Sequence, residues 1–392
     1  MNNTNPPPYL MTSDKGSFAE KTIAERKPSI IKQILLDFDY TPTIRKSLLD
    51  YKNEIAEGLI KPLRENASDK EIWDRELKPW KGKTWFEVPW LLAEAYFYRR
   101  VLETTHYFQP GPYQGSDPFQ RLKTKEMLDG LVVFEELYPH LTELASLEGF
   151  KAFCIKALWG NRGDLSHTED SLDPSMETQS HHIILDDTNM AYQYLTAKQP
   201  VSVAYFFDNV GKELFFDIAL IDFLLNSGLA VTVSCFLKNQ PFFVSDAMPK
   251  DFFKTIELMR VSEDMSIQRL SERIQKHLRS EHLTIEAPPF MTQPQMYHEL
   301  PEVLREQVAT HDIAILKGDV NYRRLMGDRH WPPKTPVEVA GGYFPTTFMS
   351  LRTLKAEMVV GLTDAILDKV KSESDPDWLI NGQRGVITFL QK

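Results

Sequence analysis

Residues 201–236 read VSVAYFFDNVGKELFFDIALIDFLLNSGLAVTVSCF and contain two short apolar runs with a longer apolar segment between them. The runs 201–207 and 230–236 are rich in β-branched and aromatic residues, which favours β-strands. The segment from Gly211 to Asn226 has the spacing of an amphipathic helix, and Gly228 is suited to end it. A strand, a helix and a second strand in this order are typical of a parallel sheet covered by helices.

The same alternation continues along the second half of the chain, with candidate strands at 313–316, 358–362 and 386–390. We therefore predict an α/β fold in which residues 181–392 form a three-layer α/β/α Rossmann-like domain with a mostly parallel sheet. Residues 17–180 have apolar side chains at three- and four-residue spacing, which predicts a mostly helical N-terminal lobe. Residues 1–16 are polar and proline-rich, so we expect them to be disordered or extended.

Composition limits the classes of partner and the cellular location. The net charge of -10 would repel nucleic acid and anionic membrane surfaces, so we expect neither as a partner. The most apolar stretch, 214–237, is interrupted by Asp217, Asp222 and Asn226, which argues against a membrane span. Only two cysteines occur, which fits a reducing compartment and predicts a cytoplasmic location, with the nucleus as an additional one. The sequence leaves the oligomeric state open.

Polar residues follow two of the predicted strands at the points where those strands end. Asp208 and Asn209 follow the first strand, and Lys317, Gly318 and Asp319 follow the strand at 313–316. Ligands of open α/β sheets bind beyond the carboxyl ends of the strands. Carboxylate and amide oxygens there suit a hard cation, although Asp208 and Asn209 could instead only cap the following helix.

Two further segments carry charges that could serve the same site. Asp246 lies in the loop after the second strand, where it is either another carboxylate of the site or a solvated turn residue. Residues 317–324, KGDVNYRR, contain cations that could take phosphate oxygens. Asp319 in that segment could accept from a sugar hydroxyl or handle a proton. The alternative is a charged, solvated turn.

Taken together, these motifs resemble the third subfamily of the damage-control phosphatases, formerly catalogued as domain of unknown function 89. The resemblance extends over nearly the whole chain, because it includes residues 17–19 and 94–100 in the helical lobe. Arg352-Thr-Leu-Lys355 matches the Arg-Thr-X-Lys signature of that subfamily. The other matching segments are 159–166 (WGNRGDLS), 208–213 (DNVGKE), 243–246 (FVSD) and 317–324.

The resemblance implies roles for individual residues. It implies a divalent metal, Mn²⁺, Co²⁺, Ni²⁺ or Mg²⁺, held by Asp208, Asn209 and Asp246. It implies that Asp208, Asn209 and Asp319 are catalytic and that Lys355 binds phosphate. Asn161 and Asp164 would line the sugar side of the pocket, unless they are structural turn residues. The remaining substrate contacts implied are Asp208, Asn209, Asp319, Asn321, Tyr322 and Arg323.

The expected function is that of a metal-dependent phosphoric monoester hydrolase acting in metabolite damage control. Its substrates would be small phosphometabolites, such as fructose 1-phosphate or fructose 6-phosphate, and either water or Asp208 could be the nucleophile. Two alternatives stay open: an S-adenosylmethionine-dependent protein-glutamate methyltransferase and a non-catalytic sugar-phosphate sensor. Residues 36–41, LDFDYT, imitate the nucleophile loop of haloacid-dehalogenase-like phosphatases through Asp37. The helical periodicity before that loop speaks against this reading.

Overall fold

The computed structural model describes residues 6–160 and 182–392. The first of these ranges is helical, as predicted, and a π-helical turn, Thr22–Arg26, joins its first two helices. Thr41 begins the third helix by accepting a hydrogen bond from the Ile44 backbone, and proline follows it at the first helical position. The helices are α1 (Phe18–Lys21), α2 (Lys27–Asp37), α3 (Pro42–Glu57), α4 (Lys70–Leu77), α5 (Trp90–Thr104), α6 (Gln120–Leu141) and α7 (Ser146–Trp159).

The second range alternates strands and helices. Its strands are β1 (Ile183–Asp186), β2 (Val201–Phe206), β3 (Ala230–Phe236), β4 (Leu283–Glu286), β5 (Ile313–Lys317), β6 (Thr347–Thr353) and β7 (Gly385–Leu390). Its helices are α8 (Thr188–Lys198), α9 (Lys212–Asn226), α10 (Pro249–Arg260), α11 (Met265–Arg279), α12 (Glu302–Ala309), α13 (Gly318–Met326), α14 (Val337–Gly341) and α15 (Asp364–Ser372).

The seven strands form one sheet in the order β1-β7-β6-β5-β2-β3-β4. Every neighbouring pair is parallel except β6 and β7, so the sheet is mostly parallel, as predicted. From β2 the chain builds outward through β3 and β4 and then returns to place β5 on the other side of β2. The strand order therefore reverses between β2 and β5, where open α/β sheets form a crevice.

Apolar side chains cover both faces of the sheet. One core packs α6, α7, α9 and α11 against the first face, and a second core on the other face contains Phe206, Phe236 and residues of α13. Glycines let the helices of the first face approach closely. A Cβ on Gly130 or Gly160 would overlap the backbone at the start of α9, at Lys212 and Glu213 respectively. This packing fixes the first turn of α9.

Three details differ from the predictions. Residues 358–362 are not a strand, although Met358, Val359 and Val360 are buried. Side chains, and not a neighbouring strand, satisfy backbone groups of this segment. Arg352 donates a hydrogen bond to the Met358 carbonyl, and the Val360 amide donates one to the Tyr322 hydroxyl. The strands β1, β4 and β6 were not predicted. Helix α9 is buried on nearly every side instead of being amphipathic, because helices and sheet enclose it.

Two global features concern solvent access. Cys154 of α7 and Cys235 of β3 are free thiols, and both are fully buried in the core of the first face. Within residues 6–160 and 182–392, no helix has the length and apolar content needed to cross a membrane.

Candidate functional site

The crevice between the carboxyl ends of β2 and β5 brings together the residues that follow these strands. Asp208 and Asn209 follow β2 after one intervening residue, Phe207, and Gly318 and Asp319 begin the helix after β5. Gly318 has a left-handed φ of +83°, and a Cβ there would overlap the carboxylate of Asp208. Only glycine permits this close approach, so the segments that follow the two strands lie against each other.

Asp208 is one of several buried carboxylates at this position. Its Oδ2 accepts a hydrogen bond of 2.8 Å from Asn209 Nδ2, and its Oδ1 has no hydrogen-bond partner among residues 6–160 and 182–392. Burial raises the pKa of Asp208 well above its usual range, and the neighbouring charges of Glu213 and Asp246 add to this effect. A buried carboxylate oxygen without a partner is a costly arrangement that a bound cation would relieve.

The loop between β3 and α10 brings Asp246 to the same place. The backbones of Asn209 and Asp246 form an antiparallel bridge, and the Ala247 amide donates to the Asp208 carbonyl at 2.7 Å. The Ser245 hydroxyl donates to Asn209 Oδ1 at 2.8 Å. Burial raises the pKa of Asp246, whereas the Lys238 ammonium, 3.1 Å from its Oδ2, opposes this shift. Asp208, Asn209 and Asp246 therefore lie together, and we call them the cation site.

A buried ion cluster surrounds the cation site. Lys317 Nζ lies 2.9 Å from Glu213 Oε1 and 3.2 Å from Asp217 Oδ1. Burial raises the pKa of Asp217 to about 7, although Lys317 opposes this shift. Lys238 pairs with one carboxylate and Lys317 with two, so two ammonium groups stand among four buried carboxylates. The ammonium groups belong to Lys238 and Lys317, and the carboxylates to Asp208, Glu213, Asp217 and Asp246.

These residues fit a hard divalent cation, because they offer carboxylate and amide oxygens together with an excess of negative charge. In the part of the chain that the structure describes, no group of three or more His, Cys, Asp or Glu side chains is arranged to hold a metal ion. The donor set therefore depends on the Asn209 amide beside the Asp208 and Asp246 carboxylates.

Asp319 lies at the rim of the crevice. Its side chain is 13% exposed, and its Oδ1 lies 2.8 Å from Arg352 Nε. Arg352 is fully buried over the ring of Tyr322 and also donates to the carbonyls of Ala356 and Met358. The Arg-Thr-X-Lys segment therefore orients Asp319 through its arginine.

The other residues predicted from the segment after β5 are buried. Asn321 donates to the carbonyls of Phe207 and Lys317, and the Tyr322 hydroxyl accepts from the Val360 amide. Arg323 is held by Glu94 at 2.7 Å and by Asp328 at 2.7 Å. The structure thus engages these three side chains with protein groups, and their role as substrate contacts stays a prediction.

Lys355 follows β6 and is half-buried. A Cβ on Gly382 would lie 3.6 Å from its Cε, and its charge acts on Glu126 of α6. Burial raises the pKa of Glu126 to about 7, whereas Lys123 and Lys355 oppose this shift. The backbone of Glu126 also borders Gly211, just before α9. Glu126 was not predicted, because in the sequence it resembles any acidic residue of a helix surface.

Three positions singled out in the sequence are not part of this arrangement as the structure describes it. Asn161 and Asp164 lie outside the described residues. Asp37 is the last residue of α2, where its carboxylate accepts a hydrogen bond from Gln33, and no strand precedes it. This local structure lacks the strand that a haloacid-dehalogenase-like nucleophile loop requires.

Comparison with known proteins gives consistent matches. The model of the damage-control phosphatase ARMT1-like domain matches residues 22–370. Proteins named damage-control phosphatase ARMT1 are similar over nearly their whole length. The Danio rerio protein is 29% identical, with 98% of this chain and 97% of the relative covered. The Mus musculus and Homo sapiens proteins are each 30% identical, with 98% of both chains covered.

The fold also matches a solved structure. A crystal structure of a DUF89 family protein from Pyrococcus horikoshii aligns with a TM-score of 0.52. The alignment covers 95% of this chain and 97% of that chain, at 14% sequence identity. This match supports the α/β fold.

Proposed function

The chain belongs to the family of ARMT1-like damage-control phosphatases, and we propose that it hydrolyses small sugar phosphates, fructose 1-phosphate and fructose 6-phosphate among them, with the help of a divalent cation. One observation carries the proposal: among the described residues, the buried Asp208 Oδ1 has no hydrogen-bond partner, and Asp208 lies beside the backbone bridge between Asn209 and Asp246. This arrangement has the oxygen donors and the charge that a divalent cation requires.

In the proposed mechanism, Asp208, Asn209 and Asp246 would hold the cation, which would neutralise phosphoryl oxygens and lower the pKa of a bound water. The chain's own groups would orient the substrate. The positive end of the α9 helix dipole favours an anion, and Lys355 would bind phosphoryl oxygens as a point charge. Asp319, fixed by Arg352, would accept a hydrogen bond from a sugar hydroxyl. Either water or Asp208 would attack phosphorus while its bond to the sugar oxygen breaks, and that oxygen would take up a proton so that the sugar leaves as an alcohol. With Asp208 as the nucleophile, water would then hydrolyse the phosphoaspartate and release phosphate.

Buried lysines explain how a protein with a net charge of -10 could accept an anionic substrate. Both lysines are buried: Lys238 pairs with Asp246 of the cation site, and Lys317 pairs with the neighbouring Glu213 and Asp217. They offset part of the local negative charge, and a divalent cation would offset the remainder. With the cation bound, the crevice would no longer repel a phosphate monoester.

The test is a phosphate-release assay with a panel of phosphosugars and related phosphometabolites. Each substrate is incubated with Mn²⁺, Co²⁺, Ni²⁺, Mg²⁺ or a chelator. We expect release that depends on the cation and that Asp208→Asn abolishes. Asp37→Asn is the matched control, because Asp37 ends α2 away from the crevice, and we expect it to retain activity.

Other outcomes would point to other functions. Tight binding of a sugar phosphate without release under any cation would indicate a sensor. Transfer of label from S-adenosylmethionine to a glutamate carboxyl would indicate a methyltransferase. Loss of release in Asp37→Asn together with retention in Asp208→Asn would refute the cation site.

A further inference from the structure

The loop that carries Asp246 contains a strained turn at Phe243 and Val244. Both residues have left-handed backbones, with φ of 41° and 67° respectively. This conformation is unfavourable for residues other than glycine, and most of all for a β-branched valine. We call these two residues the 243–244 turn. Contacts from outside the loop have to keep it in this conformation.

The 243–244 turn positions Ser245 and Asp246, the two residues that contact Asn209. The Ser245 amide donates back to the Phe243 carbonyl at 2.8 Å, and the Ser245 carbonyl accepts from the Val210 amide at 2.8 Å. The Ser245 hydroxyl bonds the Asn209 side chain, and Asp246 follows directly. If the turn relaxed to an ordinary backbone, Ser245 and Asp246 would lose their present positions relative to Asn209.

Residues of the helical lobe pack against the 243–244 turn. The Phe243 ring packs against Tyr98, with ring centroids 4.9 Å apart, and against Phe242 at 4.7 Å. The Lys27 ammonium lies 5.4 Å from the centroid of the Phe243 ring and 4.6 Å from that of Tyr98. Burial lowers the pKa of Lys27 to about 8, so the ammonium is still mainly charged at neutral pH. A desolvated cation beside aromatic rings is strongly attracted to them.

The Lys27 ammonium also belongs to a network of ion pairs that extends to the other side of the crevice. Lys27 Nζ lies 2.8 Å from Glu94 of α5, and Glu94 lies 2.7 Å from Arg323 of α13. Helix α13 begins at Gly318 and carries Asp319. Lys27 therefore connects the 243–244 turn with the helix that borders the cation site from β5.

We propose that Lys27 is a positioning residue, whose ammonium holds the Phe243 ring and through it keeps the 243–244 turn in the conformation that places Ser245 and Asp246 against Asn209. The helical lobe thereby completes the cation site without contributing a ligand to it. The inference rests on the proposed function, because it assigns a purpose to the cation site.

The test uses Lys27→Met, which keeps the length and apolar stem of the side chain but removes its charge. Two readouts are independent of turnover: Mn²⁺ affinity from paramagnetic-resonance titration, and hydrogen exchange of the peptide spanning residues 242–247 without added metal. We expect faster exchange in this peptide and an affinity about tenfold weaker, as is usual when a supporting contact of a metal ligand is lost.

Arg99→Met is the matched control. Arg99 is buried on α5 in the same lobe and loses its ion pair with Asp69, a contact outside the turn. We expect it to lower stability while exchange at 242–247 and Mn²⁺ affinity stay close to the wild type. Equal effects of Lys27→Met and Arg99→Met on both readouts would overturn the inference.

A second variant covers the case in which Lys27→Met does not fold. Phe243→Leu removes the ring that the ammonium faces and leaves the Lys27–Glu94 pair in place, and we expect it to loosen the same peptide. Unchanged exchange in this variant would contradict the inference. Should the wild type bind no Mn²⁺, the proposed function fails, yet the exchange comparison still decides whether Lys27 holds the turn.

Discussion

Gly318 lies directly against the carboxylate of Asp208, and no side chain can be accommodated between them. The first residue of α13 thus supports a residue of the segment that follows β2, across the crevice where the strand order reverses. The left-handed φ of Gly318 is a second reason why this position requires glycine. The shape of the cation site therefore depends on a residue that contributes no side chain.

Gly318→Ala should displace the Asp208 carboxylate. We expect kcat/KM for cation-dependent phosphate release to fall by about 100-fold or more, because small misplacements of reacting groups have effects of this size. Gly327→Ala is the control, since Gly327 also has a left-handed φ, of 78°, but its nearest neighbour is the flexible side chain of Arg329. It should lose stability but retain activity. Equal losses of activity in Gly318→Ala and Gly327→Ala would show that backbone strain, and not contact with Asp208, causes the loss.

Asp208→Asn should stabilise the metal-free protein while it abolishes activity. The carboxylate is buried near Glu213 and Asp246, so removal of its charge relieves repulsion. We expect a gain of about 1–2 kcal/mol in the free energy of unfolding, as is common when a functional site is neutralised. Added Mn²⁺ should raise the Tm of the wild type and leave that of the variant unchanged. A less stable variant would mean that Asp208 is structural.

Arg352→Met should destabilise the protein through the loss of a buried ion pair. It would leave Asp319 without its partner and free two backbone carbonyls, so we expect a loss of about 4 kcal/mol in urea unfolding. Arg305→Met removes an exposed pair with Glu302 and should change stability by less than about 1 kcal/mol. Similar losses in both variants would be inconsistent with the buried role of Arg352.

Glu126 should make stability depend on pH between about 4.5 and 7, because burial raises its pKa from 4.5 to about 7 in the folded protein. In this window the folded state retains a proton that the unfolded state releases, so stability falls as pH rises. The loss is at most about 3 kcal/mol and is complete above pH 7. Glu126→Gln should remove this component from urea unfolding between pH 5 and 8. Glu136→Gln, at an exposed position of α6, should leave the slope unchanged.

The sequence predicted the central strands well because their apolar runs are continuous and end in recognisable polar residues. Asp208 lies shortly after β2 and Asp319 shortly after β5, which made the crevice between these two strands predictable. Strand β6 was missed because TFMSLRT contains Ser350, Arg352 and Thr353, all of them buried. Their burial becomes understandable only once partners such as Asp319 are known.

The contacts that support the site could not be predicted in the same way. Lys27, Glu94 and Arg323 are separated by 67 and 229 positions along the chain, and each resembles an ordinary helix-surface charge in the sequence. The left-handed backbone of Val244 also contradicts its residue preference. Such features depend on tertiary contacts, which local sequence patterns do not record.

The burial of both cysteines provides a built-in reporter for all of these variants. Cys154 and Cys235 lie in one core, on a helix and on the sheet that it covers, so a thiol reagent reaches them only when that layer opens. Labelling rates would therefore separate substitutions that loosen the scaffold from those that disturb the crevice alone, without introducing any foreign probe.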